Sequence, residues 1–443
     1  MINRIYAKNY RAFEEFDIEL SKINLFFGPN NSGKSSIMSL INLLSQTLAS
    51  PDRTVSLLLR GGKEDFGTYR DIIYANDTRR SLVIGIEATP KLQRFFYYGT
   101  SKREKTVRGS IELEYYYRPR RHEIVLKRIK SEFPGIKTEI ELLKTKRGKR
   151  YRINLLKVEN KHIECNRMIG LFEHFLPLIW ELFYEKNGES RYFKRGFERY
   201  ITNFYLNFVE EIKSIEFIGP FREPPRRTYL FSGESPESVG TRGERTIDII
   251  TIDSFKRNGR GKHNIVEKVS NWFKQCEIAE KLQINRLTDR HFEVVLSQGG
   301  LNENMADTGY GCSQVLPILV AGYNLDEGDI LLVQEPEIHL HPKAQAELGT
   351  FFYELAKEGI QTIVETHSEH MLLRLQAHVA DKECDLKPED VNIYYVYLDK
   401  DNKRKIKKLE LGEDGFFKDE WPHGFFPERY NEAKKIAKAS LRG

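Results

Sequence analysis

Four cysteines in 443 residues, Cys165, Cys276, Cys312 and Cys384, stand far apart and never form a C-x-x-C pair, which excludes a zinc ribbon and a disulfide framework. Apolar runs long enough to cross a bilayer are missing as well. Met1, Ile2, Asn3 and Arg4 open a strand-like segment without the pattern of a leader, so a cytoplasmic protein without membrane contact is expected. No heptad register, internal repeat or low-complexity tract is visible, which excludes a long coiled coil and a solenoid. What remains is the composition of a globular chain, 40% apolar and 12% aromatic, long enough for two or three domains.

The net charge of +6 is small but uneven. Residues 101–160 carry 18 Lys or Arg against 8 Asp or Glu, so this one segment holds an excess of basic charge and the rest of the chain is slightly acidic. Such a patch can track a phosphate backbone. Lysine-rich β-hairpins that protect their own edges give the same composition.

Gly28, Pro29, Asn30, Asn31, Ser32, Gly33, Lys34 and Ser35 spell G-x-x-x-x-G-K-S, followed by Ser36. The apolar run Ile23, Asn24, Leu25, Phe26, Phe27 before it reads as a buried strand, and Ile37, Leu40, Ile41, Leu44 and Leu48 after it give the apolar face of a helix. Both flanks that a phosphate-binding loop needs are therefore present. The glycines let backbone N–H groups and the helix start face the β- and γ-phosphates, Lys34 adds positive charge, and Ser35 offers a hydroxyl to Mg²⁺. The loop is expected to hold ATP.

Further along, residues 81–158 alternate in short segments and predict a mostly antiparallel β-region. Phe172, Phe175, Leu176, Ile179, Trp180 and Phe183 recur at helical spacing, so residues 168–215 read as a pair of helices. Gly219, Pro220, Phe221, Arg222, Glu223, Pro224 and Pro225 then break regular structure, as a loop threading back to the nucleotide domain would. Hydrolysis needs an acidic residue at the end of a second buried strand. Ile330, Leu331, Leu332 and Val333 lead into Gln334, Glu335, Pro336 and Glu337, and Thr362, Ile363 and Val364 lead into Glu365, Thr366, His367 and Ser368. Between them Gly309, Tyr310, Gly311, Cys312, Ser313 and Gln314 open an apolar helix, a second anion-binding helix start.

The order of these motifs resembles the ABC-type ATPase heads of the RecF, SMC and overcoming-lysogenization class. His339, Leu340, His341 and Pro342 after E-P-E are similar to the H-L-H-P of predicted prokaryotic ATPases in that class. Glu369, His370, Met371, Leu372, Leu373 and Arg374, with Trp421, Pro422, His423, Gly424, Phe425, Phe426, Pro427, Glu428 and Arg429 in the tail, resemble a subgroup with a C-terminal domain of unknown function. Relatives of that subgroup serve in anti-phage modules of the Septu, retron-linked and PARIS-like kinds. The likeness covers residues 1–80 and 215–430 and implies an α/β fold: an ABC-type head begun by residues 1–160 with the β-region, a helical insertion at 161–215, the second part of the head at 216–400 and a tail at 401–443.

By the same resemblance Lys34 and Ser35 hold phosphates and Mg²⁺, Glu335 polarises the attacking water, and His367 senses the γ-phosphate. Gly309, Gly311, Ser313 and Gln314 lie in the signature-like loop, which in this class contacts nucleotide bound by another copy. A homodimer or higher oligomer of heads that controls a separately encoded effector, a nuclease, is implied. The alternative is a RecF-like ATPase acting on DNA directly through residues 101–160; a transporter subunit fits the loop and the large insert less well.

Gln334 departs from the pattern, because the class carries Asp or Glu just before the catalytic carboxylate. As a neutral metal ligand it implies weaker Mg²⁺ binding and slow turnover. His339 with His341, and His367 with His370, lack the accompanying ligands of a zinc site. Asp399, Lys400, Asp401 and Asn402 read as a hairpin turn rather than as the acidic motif of a metal nuclease.

Overall fold

The computed structural model describes residues 1–90, 107–145, 148–158, 161–162, 165–186, 189–192, 197–213, 215–255, 264–419 and 434–435, and it is mixed α/β. At its centre lies a six-stranded sheet in the order Ile215–Ile218, Ile330–Gln334, Gln361–Glu365, Ile23–Phe27, Val391–Leu398, Arg404–Leu409. The first five strands are parallel and the last turns back antiparallel. Ile23–Phe27 is buried at every position, as a strand covered on both faces must be.

The pleat decides which core each side chain enters. Phe26, Ile330, Leu332, Ile363 and Val396 join a core shared with the helix Lys34–Leu48 and a large antiparallel sheet. Leu25, Phe27, Leu331, Val333, Val364 and Ile393 join the opposite core, with the helices Tyr310–Asn324, Pro342–Lys357 and Glu369–Ala380. The motif-bearing sheet is thus the middle layer of the molecule.

The antiparallel region expected over residues 81–158 is present. Phe13–Glu19, Ile2–Tyr10, Leu82–Ala88, Gly109–Arg118, Glu123–Phe133, Ile136–Thr145, Gly148–Val158 and Lys161–His162 pair in that order, all antiparallel. Helix Phe197–Lys213 packs on it, with Phe204 stacked on Phe133 at 4.2 Å between ring centres and the Tyr205 hydroxyl 2.7 Å from Ser131 Oγ.

Residues 168–215 are helical only in their second half, which corrects the helical insertion expected at 161–215. Cys165–Glu173 and Leu176–Lys186 form an antiparallel hairpin that Glu189–Tyr192 extends. Aromatic and β-branched residues favour a pleated surface as readily as a helix face. His174 takes the left-handed conformation at φ 56°, and its amide donates to the Arg53 carbonyl at 2.6 Å, so the chain reverses where a helix would have continued. The head also runs past residue 400, since Arg404–Leu409 forms the edge of the central sheet. The turn before it is the expected hairpin, with Asp399 Oδ1 accepting from the amides of Asp401 and Lys403 at 2.9 and 2.8 Å. Residues 421–429, on which part of the resemblance rests, lie outside the described residues.

Two buried amides lock the first strands to the central sheet. Gln361 Nε2 donates to the carbonyls of Ile2 and Ser21 at 2.8 Å each, and its Oε1 accepts from the Ile2 amide at 2.8 Å. Asn24 Nδ2 donates to the carbonyls of Ser21 and Thr362, at 2.8 and 3.0 Å. Gln361→Leu keeps the volume but removes three hydrogen bonds to the backbone of Ile2 and Ser21, each worth about 0.5–1.5 kcal/mol. The expected outcome is a loss of roughly 2–4 kcal/mol, read from the shift in the urea unfolding midpoint.

Candidate nucleotide site

The strand Ile23–Phe27 runs into Gly28 at φ 146°, and Gly33 at φ 108° caps the helix Lys34–Leu48. These conformations favour glycine. A Cβ on Gly28 would also stand 2.0 Å from the Val396 carbonyl oxygen, so no larger residue fits where the loop crosses its neighbouring strand. No side chain caps the helix start, which leaves its first N–H groups for an anion. Pro29, Asn30, Asn31 and Ser35 are exposed around the loop, Ser32 and Lys34 are buried, and Ser36 is half-buried. Lys34 Nζ turns back to donate to the carbonyls of Gly28 and Pro29, at 2.9 and 3.0 Å. Burial lowers the Lys34 pKa, while Glu365, Glu335 and Glu337 oppose that shift.

Register brings the remaining groups alongside. Gln334 pairs with Glu365 and Glu365 with Phe26, so three strand ends finish at one level beside the loop. Ser35 Oγ donates to Glu365 Oε1 at 2.8 Å, and Gln334 Nε2 donates to Glu365 Oε2 at 3.0 Å. Burial raises the Glu365 pKa, and Ser35, Lys34 and Gln334 pull it back. Gln334, expected as a neutral metal ligand, thus aims its amide nitrogen at a neighbouring carboxylate.

Glu335 leaves the strand at φ 47°, a conformation that strains a residue with a Cβ. Its amide donates to the Glu365 carbonyl at 2.8 Å. The turn is tied to the switch loop where the His367 amide donates to Glu337 Oε1 at 2.5 Å, and burial raises the pKa of Glu337. His367 is exposed. Partial desolvation, then the charge of Lys34, lowers its pKa, and Glu335 opposes them. Lys34, Ser35, Gln334, Glu335 and His367 thus lie near one another around Glu365 and Lys34.

Arg222 joins them without having been singled out. The residue is 5% exposed, and its Nη2 donates to the carbonyls of Gln334 and Glu335 at 2.6 and 3.1 Å. Burial lowers its pKa to about 10, against the pull of Glu337 and Glu335. The signal in the sequence was the Pro-bounded break after a short apolar strand, which read as a loop returning to this domain.

The signature-like loop is a helix start. Gly309 is its N-cap and exposed, as is Tyr310; Gly311 sits where a Cβ would meet the His339 carbonyl at 2.6 Å. Ser313 and Gln314 are buried in the first turn, and Ser313 Oγ donates to the Tyr310 carbonyl at 2.9 Å. His341 accepts from the Lys343 amide at 3.4 Å as the N-cap of Pro342–Lys357. Among the described residues no group of three or more His, Cys, Asp or Glu converges on one point, and no helix is long and apolar enough to cross a membrane.

A glycine-rich turn between a parallel strand and an uncapped helix, with carboxylates at the ends of the next strands, defines a P-loop nucleotide-binding fold. Residues 23–373 match the family model described as "AAA domain, putative AbiEii toxin, Type IV TA system". The chain belongs to this family and is a P-loop ATPase of the AAA type.

Among solved structures, the SMC head bound to the C-terminal winged-helix domain of ScpA is similar at 14% identity and TM-score 0.47, over 93% of this chain and 98% of that one. The SMC head from Thermotoga maritima follows at 13% and 0.36, over 93% and 99%. The Pyrococcus furiosus SMC head with an extended coiled coil, bound to the C-terminal domain of ScpA, gives 12% and 0.45, over 100% and 99%. No curated protein matches the chain.

Arg222→Met keeps an apolar stem but removes the donor to two carbonyls. The expected outcome is a loss of about 1–3 kcal/mol in chemical denaturation, with faster proteolytic cleavage near the E-P-E turn.

Proposed function

We propose that the chain binds and hydrolyses ATP as an ABC-type head, and that nucleotide-driven pairing of two heads is its output, relayed to a separately encoded effector nuclease of an anti-phage module. The observation that carries this reading is the meeting of Lys34, Ser35, Glu335, Glu365 and His367 at adjacent strand ends beside the uncapped helix start. Glu335 supplies the carboxylate that orients water, the buried Lys34 the charge for the phosphates, and His367 an exposed imidazole.

Ser35 and Glu365 offer a hydroxyl and a carboxylate, a donor set that suits Mg²⁺ shared with a triphosphate. Bound there, the ion would neutralise charge developing between the β- and γ-phosphates. A second copy has a receiving surface in Gly309 and the 63% exposed Tyr310, at a helix start that no side chain caps. The family's description as a toxin of a type IV system supports a place alongside a separately encoded component.

Direct DNA binding is the second reading. Lys127 and Arg128 pair with Glu114, Lys130 with Glu112 and Lys137 with Glu132, so these four cations are tied to acids that the local excess already counts. Arg120 and Arg121 stay exposed in the turn Pro119–Arg121 and are open to a phosphate backbone.

Mass measurements with ATP and Mg²⁺ test the first reading. Wild type is expected to pair, Glu335→Gln to stay paired because binding outlives water activation, and Lys34→Ala to remain as it is without nucleotide. Equal masses for all three would remove the switch. Salt-sensitive DNA binding by the wild type, lost in Arg120→Glu/Arg121→Glu, would favour the second reading.

A further inference from the structure

The phosphate loop poses an electrostatic problem that its own residues do not solve. Lys34 and the open N–H groups of the helix start invite a triphosphate, yet Glu365, only 4% exposed, lies against the Ser35 hydroxyl at the same helix start. A buried carboxylate beside a polyanion is repulsive unless it takes a proton or shares a cation with it. Both oxygens of Glu365 are already oriented, one by Ser35 and the other by Gln334. Gln334 spends its amide nitrogen on this acid, and Glu335 is turned out of the strand by its positive φ.

We propose that Glu365, at the end of the strand next to the P-loop strand, supplies the carboxylate for the divalent cation, and that Gln334 holds Glu365 in position rather than binding the metal itself. The acid is carried one strand over from the E-P-E turn. Ser35 and Glu365 then face the ion together, and Gln334 fixes the carboxylate from its far side. Mg²⁺ tolerates such a site because it uses one or two carboxylates along with substrate phosphates and water. The weak metal binding expected from a neutral residue at position 334 gives way to ordinary binding through a different residue.

This inference rests on the nucleotide reading, and the test separates the two. Binding of a fluorescent ATP analogue to full-length protein is measured in EDTA and in Mg²⁺, and Mn²⁺ affinity in the presence of ATP is measured by electron paramagnetic resonance. For Glu365→Gln, nucleotide binding in EDTA is expected to be unchanged or tighter, while Mn²⁺ affinity falls about 10–100-fold. Gln334→Ala is expected to lose less, and the exchange Gln334→Glu/Glu365→Gln to recover part of the Mn²⁺ affinity. Should Glu365→Gln melt well below wild type, Glu365→Asp takes its place, since it keeps the charge but withdraws it by one methylene; weakened Mn²⁺ binding with unchanged EDTA binding is again expected. Full Mn²⁺ affinity in the Glu365 variant, or a loss seen in Gln334→Ala and not in Glu365→Gln, overturns the assignment. A wild type that binds no nucleotide in either buffer ends the nucleotide reading and this inference with it.

Discussion

Parallel register is the constraint on which the rest of this protein depends. Ile330–Gln334, Gln361–Glu365 and Ile23–Phe27 end side by side because Gln334 lies opposite Glu365 and Glu365 opposite Phe26. A slip of one residue would turn every side chain of a strand to the other face. Phe26 would leave the core it shares with the Lys34–Leu48 helix, and Glu365 would lose Ser35. The buried amides of Asn24 and Gln361 fix this register with hydrogen bonds that a shifted strand could not make.

Buried charges of both signs lie close together around the loop. Arg222 donates to the backbone carbonyls of Gln334 and Glu335 and lies in the field of Glu337 and Glu335. Lys34 lies in the field of Glu365 and the same two glutamates. Each of these groups is held away from its ordinary pKa by burial and drawn back by its neighbours. Charges of both signs, desolvated but mutually compensated, make a site ready for a strongly charged ligand.

The motifs were legible because each is local. The P-loop needs only eight neighbouring residues, and E-P-E and T-H-S each close an apolar strand whose burial is written in its composition. What stayed hidden depends on pairing between distant segments. Glu365 read as a companion of His367 until strand order put it against Ser35, and Arg222 read as part of an irregular loop until the loop folded under the turn. The hairpin Cys165–Glu173 and Leu176–Lys186 was misread because its aromatic residues suit both periods, and the turn at His174 is fixed by a contact with Arg53 that no local pattern reveals. Cross-strand ion pairs within residues 101–160, such as Lys127 with Glu114, are invisible without register.

The position of Ile23–Phe27 between Gln361–Glu365 and Val391–Leu398 has a consequence for biosynthesis. Asn24 finds its bond to the Thr362 carbonyl 338 residues further along, so on the ribosome this strand is made long before the neighbouring strand it pairs with. Its apolar edges must be sheltered meanwhile by the antiparallel sheet or by a chaperone. Nascent chains halted before residue 361 would accordingly carry the whole glycine-rich loop and still lack a nucleotide pocket.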